Sequence, residues 1–219
     1  MFELCYSFTM KLREDIKDFL ATIPCGITLV AATKYVDSSE IRKMVESGIT
    51  NIAENRVDAF LEKYEALKDL PIHWHFIGHL QRNKAKDIIN KIECLHSLDS
   101  LELAKLIDKT RKTPLDVFIE VSINLEENKN GVPFYQAKDF IKELENYPNI
   151  HVIGLMMMTV KESEDKDNQF ARLYKLKVDI EKELNIKLPY LSMGMSDDYL
   201  LAIKEGATHI RLGRILFKE

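Results

Sequence analysis

Apolar runs rich in β-forming residues alternate along the chain with segments whose apolar positions recur every three or four residues. The first run, residues 27–34, is followed by Asp37 and Glu40, a spacing typical of a capping box at a helix start. The eight predicted strands are residues 27–34, 49–53, 72–77, 91–97, 115–123, 151–158, 188–195 and 208–213. The pattern predicts eight strands separated by helices, with one more helix at about residues 8–21.

Alternating strands and helices build either an open doubly wound sheet or a closed barrel, and the count of eight favours closure. The chain has 219 residues, of which 46% are hydrophobic, which is enough for one full core. We therefore predict a single α/β domain over residues 1–219, a (β/α)8 TIM barrel with an extra N-terminal helix. Closure makes the first and last strands neighbours, so Lys34 and the eighth strand would share one mouth.

Charge and cysteine content limit the partners and the cellular compartment that the sequence favours. The net charge is -4 with acidic and basic residues interspersed, which predicts no surface for nucleic acid or an anionic membrane. The three cysteines, Cys5, Cys25 and Cys94, show neither a disulfide framework nor zinc-ligand spacing. Residues 1–10 lack the features of a signal peptide, and no apolar run approaches the length that spans a bilayer. We expect a cytoplasmic protein that acts as a monomer.

Lys34 ends the first predicted strand, and the carboxyl ends of barrel strands are where ligands and catalytic groups lie. Loss of hydration there would favour the neutral amine, which can form a Schiff base with an aldehyde. The alternative is that Lys34 only extends into solvent from a strand end.

Alternation along the last two strands predicts which residues face the barrel interior. Arg211 and Gly213 would face inward on the eighth strand, and Ser192 and Ser196 would share one face of the seventh. Loops after these strands commonly bind phosphate through backbone N–H groups. Asp197 and Asp198 would repel a phosphate, so we expect them to cap backbone donors and face away. The alternative makes Ser196 an ordinary helix cap and Gly213 a turn residue.

His73 and His75 alternate with apolar neighbours on the third predicted strand, so both could face the interior. A His-Xaa-His pair at a strand end can ligate zinc, which would make the chain a metal-dependent barrel hydrolase. The other inward positions supply no further His or carboxylate ligands, and we predict no metal site. His75 would instead line a cofactor pocket or make a hydrogen bond in the core.

Several short segments, spread from the first strand to the last, together resemble one family. They are Leu29-Val-Ala-Ala-Thr-Lys34, Ile52-Ala-Glu-Asn55, Trp74-His-Phe-Ile-Gly-His-Leu-Gln81 with Asn83-Lys84, Gly154-Leu-Met156, Leu191-Ser-Met-Gly-Met-Ser-Asp-Asp198 and Ile210-Arg-Leu-Gly213. The chain resembles the pyridoxal phosphate homeostasis proteins, relatives of the N-terminal barrel of alanine racemase.

The resemblance implies that pyridoxal 5'-phosphate (PLP) is held as a Schiff base on Lys34. It places Ser192 or Ser196, with the backbone of Gly213 and Arg214, around the phosphate. Arg211 matches the residue that faces the pyridine nitrogen, where a guanidinium disfavours ring protonation and weakens the cofactor as an electron sink. Asn55 matches a residue near the ring, or else caps the second helix.

Two positions depart from the family pattern. Arg214 stands where relatives often have a small hydroxyl residue, so a side-chain bond to the phosphate is in doubt. Val36 stands where relatives often have a second lysine, so cofactor transfer through such a lysine is also in doubt.

Two classes of function follow from the resemblance. A PLP-dependent racemase would need a second acid–base group, which its relatives take from an additional β domain. This sequence ends just after the predicted barrel, so we expect no dedicated catalysis. The expected role is a carrier or buffer in PLP homeostasis, whose transient partners would be apo PLP-dependent enzymes.

Overall fold

The computed structural model describes residues 10–122, 130–159 and 166–218, and within them eight parallel strands form a closed barrel. The strands are β1 (Thr28–Ala32), β2 (Asn51–Glu54), β3 (His73–Phe76), β4 (Cys94–Leu98), β5 (Leu115–Ser122), β6 (Ile150–Met156), β7 (Tyr190–Ser192) and β8 (His209–Leu212). Each strand pairs with the next, and β8 pairs with β1. The predicted barrel is confirmed.

Helices connect the strands, as the periodicity predicts. They are α1 (Ile16–Ala21), α2 (Ser38–Glu46), α3 (Val57–Ala66), α4 (Arg82–Ile88), α5 (Leu101–Thr110), α6 (Ala137–Leu144), α7 (Lys166–Leu184) and α8 (Tyr199–Lys204). A short strand, Val132–Pro133, pairs with the end of β5. No helix in the described ranges combines the length and apolar character needed to cross a membrane.

The closing pair of strands sets which residues share the mouth. Arg211 lies opposite Val30, and Leu212 lies opposite Ala31, in a parallel register. Because paired residues point to the same side of a sheet, Leu212 and Ala31 pack outward with the helices, while Arg211 and Val30 face the interior. The next inward positions after Arg211 and Val30 are Gly213 and Ala32, so these two residues meet at the carboxyl-terminal rim.

The N-terminal region differs from the prediction. Lys11–Leu12 is a short strand that pairs antiparallel with Phe217–Lys218, and the helix covers only Ile16–Ala21. Residues 8 and 9 of the predicted helix lie outside the described residues. Glu40 explains part of the difference, because its Oε2 accepts a hydrogen bond from the Leu12 backbone N–H at 2.9 Å. The capping pattern at Asp37 does form, since its Oδ1 accepts the N–H groups of Ser39 and Glu40.

Several strands end earlier than predicted, and two of them bear on the site. β1 stops at Ala32 rather than Lys34, and β7 covers only Tyr190–Ser192. Gly194 has a φ of 93°, a left-handed conformation that ends the extended backbone of β7. A Cβ at Gly194 would also lie 2.6 Å from the Ala202 Cβ of α8, so this turn brings α8 close against the strand.

Candidate functional site

Lys34 lies in the turn after β1, at the carboxyl-terminal mouth of the barrel. Its side chain is exposed, and its Nζ lies 4.8 Å from the centroid of the Tyr35 ring. The expectation that Lys34 ends the strand and loses its hydration there is therefore wrong. The amine is instead exposed at the rim. Lys34 lies two residues after Ala32, and Ala32 contacts Gly213 at the end of β8.

A buried polar network lies directly behind Lys34. The Thr33 Oγ1 donates to Glu54 Oε1 at 2.7 Å, and Lys63 Nζ of α3 donates to the same carboxylate oxygen at 2.5 Å and to the Thr33 carbonyl at 2.7 Å. Thr33 precedes Lys34, and Glu54 precedes Asn55. The network thus fixes the backbone beside two candidate site residues. Sequence reasoning missed it, although a glutamate inside an apolar strand was an available signal.

Asn55 follows β2 at the mouth. Its Oδ1 is buried and has no hydrogen-bond partner among the described residues. The alternative role as a cap of the next helix is not seen, because Arg56 is the N-cap residue of α3. A buried, unsatisfied amide oxygen costs free energy unless a ligand or water pairs with it. Asn55 therefore offers a polar contact to a molecule in the mouth.

Ser196 and the backbone after β8 form a small hydrogen-bonded cluster at the rim. The Ser196 Oγ accepts the N–H groups of Gly213 at 3.3 Å and Ile215 at 3.4 Å. Both contacts are long, and they leave two backbone donors pointing at one point on the rim. Backbone N–H groups that converge on one point can bind phosphate oxygens in other proteins.

Acidic groups around this arrangement are paired. Asp198 is buried and accepts the Met195 N–H and the Thr159 hydroxyl, both at 2.7 Å, as expected of a carboxylate that caps a backbone donor. Asp197 is exposed and forms an ion pair with Arg214. The side chain that replaces the small hydroxyl of relatives is thus already engaged with a carboxylate.

Arg211 is buried in the barrel interior. Its Nη1 donates to Ser192 Oγ at 2.7 Å, and its Nη2 donates to the Met157 carbonyl at 2.8 Å. Burial lowers the pKa of Arg211 to about 10, opposed by the carboxylates of Glu120 and Asp198, so the guanidinium stays charged at neutral pH. Ser192, one of the two serines expected near the phosphate, is fully buried, and its Oγ lies between Arg211 and His96.

His75 makes hydrogen bonds in the core. Its Nδ1 lies 3.0 Å from His96 Nε2, and its Nε2 lies 3.1 Å from Asn51 Oδ1. Burial lowers the pKa of His75 to about 3 and that of His96 well below its usual range, so both imidazoles are neutral. His75 therefore takes the second of its two predicted roles, a core hydrogen bond.

The structure also changes which residues could form a metal site. His73 is exposed and pairs with Glu93 at 2.7 Å, so it is not brought together with His75. His75, Cys94 and His96 instead place three ligand-type atoms within 4.8 Å of one another. The facing ring nitrogens of the two histidines already share a hydrogen bond, and burial raises the pKa of the Cys94 thiol, which opposes the thiolate that a metal requires.

Glu120 is a titratable group that sequence reasoning missed. It lies on β5, four strands away from β1 and hence on the opposite side of the barrel. Burial and the charge of Asp99 raise the pKa of Glu120 to about 7, against the opposing effects of Arg211 and His79. A charged residue at an inward position of the apolar run around Phe118 was the available signal.

This fold corresponds to a known class of protein. Residues 12–219 match the family model described as the N-terminal domain of alanine racemase. Alanine racemase from Clostridium difficile, at 18% identity, has the same fold with a TM-score of 0.76, over 96% of this chain and 58% of that chain.

Closer relatives define the family more narrowly. A protein from Aquifex aeolicus named pyridoxal phosphate homeostasis protein is 43% identical over 87% of this chain and 86% of its own length. A protein of the same name from Synechocystis is 37% identical, over 91% and 94%. PipY from Synechococcus elongatus, solved with PLP bound, has a TM-score of 0.85 at 28% identity, over 93% of this chain and all of that chain. This chain belongs to the pyridoxal phosphate homeostasis protein family.

Proposed function

We propose that this protein binds PLP covalently through Lys34 and holds it as a carrier in intracellular PLP homeostasis. The observation that supports the proposal is the closure of the barrel, because β8 pairs with β1 and Gly213 contacts Ala32, two residues before the exposed Lys34. The PLP-bound structure of PipY, a related protein over nearly the whole chain, supports the same reading.

The residues at the mouth fit the cofactor in three respects. The buried Asn55 Oδ1 lacks a partner among the described residues and can pair with a polar group of the ligand. The N–H groups of Gly213 and Ile215, with Ser196, suit the phosphate. Arg211 carries a positive charge into the interior, where it would face the pyridine nitrogen. PLP itself supplies an aldehyde that reacts with amines.

In a carrier, the protein's task is to bind the aldehyde reversibly and keep it from other amines. Lys34 contributes the amine and must turn from Tyr35 toward the pocket to do so. Arg211 would face the ring nitrogen of the bound cofactor, where a guanidinium disfavours ring protonation and so opposes carbanion chemistry. Apo PLP-dependent enzymes would be the transient recipients, and the carrier would act as a monomer. Cys25 and Cys94 are free thiols, in keeping with a reducing cytoplasm.

One observation favours a second candidate function, amino-acid racemisation. Glu120 lies on β5, across the barrel from β1, and burial raises its pKa to about 7, which suits a second acid–base group. Assays of racemisation with several amino acids separate the two functions. Turnover that disappears in both Lys34→Ala and Glu120→Gln would contradict the carrier role.

Borohydride trapping tests the covalent site. Reduction of the yellow complex should bleach it and fix one cofactor mass on the peptide that contains Lys34. Lys34→Ala should abolish trapping yet retain weaker binding through the phosphate, whereas Lys84→Ala, which removes an exposed lysine paired with Asp58, should behave as the unmodified protein. A trapped mass on any other lysine would overturn the assignment.

A further inference from the structure

Five side chains cross the barrel interior in one unbroken series of hydrogen bonds. The series, which we call the interior chain, consists of Arg211, Ser192, His96, His75 and Asn51. Its four contacts measure 2.7, 2.8, 3.0 and 3.1 Å from Arg211 to Asn51. Its members come from β8, β7, β4, β3 and β2, so it ties together strands that are distant in sequence.

The direction of each hydrogen bond follows from the groups at the two ends. A guanidinium only donates, and the Asn51 Oδ1 only accepts. His75 must therefore donate from Nε2 and accept at Nδ1, which obliges His96 to donate from Nε2 and accept at Nδ1. The Ser192 hydroxyl then donates to His96 and accepts from Arg211. Every donor finds an acceptor with both imidazoles neutral, in agreement with their lowered pKa values.

We infer that Ser192 and His96, supported by His75 and Asn51, are positioning residues that hold Arg211 toward the pyridine nitrogen of the cofactor. The inference rests on the proposed PLP function and adds residues that act only through Arg211. The Met157 carbonyl fixes the second amino group of Arg211, so the interior chain and one backbone oxygen together orient the guanidinium. A guanidinium has five N–H donors, so two such contacts leave it able to face a further acceptor.

A matched pair of substitutions separates positioning from core packing. In His96→Asn the amide can take the place of Nδ1 and keep the contact with Ser192. In His96→Gln the amide can take the place of Nε2, which keeps the contact with His75 and gives up the contact with Ser192. Cys94→Ser serves as the control, because Cys94 is buried on the same strand and lies outside the interior chain.

The readout is the protonation of the ring nitrogen, followed by the NMR shift of ¹⁵N-labelled PLP as the pH is varied. His96→Gln should raise the midpoint for ring protonation by roughly one pH unit or more, the size expected when one hydrogen bond to a charged group is lost. His96→Asn and Cys94→Ser should keep the midpoint of the unmodified protein. Equal midpoints for the Asn and Gln variants would overturn the inference.

A second measurement needs no cofactor. In the apo protein, ring ¹⁵N signals of His75 and His96 should both report the neutral form protonated at Nε2, and Ser192→Ala should change the His96 signals more than those of His75. A proton on Nδ1 of either ring would overturn the chain as drawn. Failure of borohydride trapping in the unmodified protein would contradict the proposed function. The measurement on the apo protein would still decide whether the interior chain exists. Ser192→Ala also replaces His96→Gln if that variant does not fold.

Discussion

The ammonium of Lys63 and the carboxylate of Glu54 form an ion pair with Nζ and Oε1 2.5 Å apart, in which the glutamate side chain is fully buried. The pair lies between α3 and the end of β2. Lys63 also holds the Thr33 carbonyl, so the residue before Lys34 is anchored to the residue before Asn55. A buried pair of this kind is costly to break, because the remaining partner is left as an uncompensated charge.

Lys63→Met should destabilise the protein by on the order of 3 kcal/mol, since it strands the Glu54 carboxylate in the core. Urea unfolding measures the loss. The double variant Glu54→Gln with Lys63→Met should recover much of it, because no charge is then buried. Lys84→Met removes a pair with exposed partners and should change stability by less than about 1 kcal/mol. A Lys63→Met protein as stable as the Lys84→Met protein would contradict the assigned role.

Glu120 predicts a specific dependence of stability on pH. Burial raises its pKa from 4.5 to about 7, so the folded state holds the proton more tightly than the unfolded state does. Its contribution to stability is therefore fully present below about pH 4.5 and is lost as the pH rises through 7. The shift corresponds to on the order of 3 kcal/mol. Glu120→Gln, which cannot ionise, should gain stability relative to the unmodified protein between pH 5 and pH 8. A stability difference that is the same at both pH values would show that Glu120 is not buried in this way.

Gly78, two residues past the end of β3, allows the chain to pass close to Asn55. A Cβ at Gly78 would lie 2.2 Å from the Asn55 carbonyl oxygen. The clash is with backbone, so it cannot be relieved by the rotation of a side chain. Gly78→Ala should displace Asn55 and weaken PLP binding by on the order of tenfold, a change of about 1.4 kcal/mol. Gly154→Ala is a matched control, because its Cβ would meet the Tyr190 carbonyl at 2.0 Å, away from Asn55. Both variants should lose thermal stability. Equal PLP affinity in the two variants would show that Gly78 has no specific role in the binding site.

How far the sequence predicts this architecture depends on the range of the interactions involved. The strands follow from local periodicity, and the inward direction of Arg211 follows from alternation along β8. The two serines could not be told apart in this way, because Ser192 and Ser196 differ only after Gly194 bends the chain. The pairing of Lys63 with Glu54 and the raised pKa of Glu120 arise from contacts between separate elements, which no local pattern encodes. Strand ends were also misplaced, since Lys34 lies beyond the last residue of β1 that pairs.

The proposed phosphate contact at Ser196 is tested by comparing the binding of pyridoxal phosphate with that of pyridoxal. Ser196→Ala removes a hydroxyl next to the Gly213 and Ile215 donors and should weaken binding of pyridoxal phosphate by about tenfold, the value of one hydrogen bond to a charged group. Pyridoxal, which lacks the phosphate, should bind the variant as it binds the unmodified protein. Equal losses of affinity for pyridoxal phosphate and pyridoxal would mean that Ser196 does not contact the phosphate.

Substitutions at the neighbouring ion pair should have opposite signs. Arg214 is exposed and neutralised by Asp197, so Arg214→Ala should weaken pyridoxal phosphate binding by less than about threefold. Asp197→Asn removes the negative charge, frees the guanidinium and should strengthen binding of the phosphate form alone. Added salt should reduce both effects, because the pair is solvent-exposed. Unchanged affinity in both Arg214→Ala and Asp197→Asn would mean that the phosphate lies away from this rim, because a charge close to a bound dianion must alter its affinity.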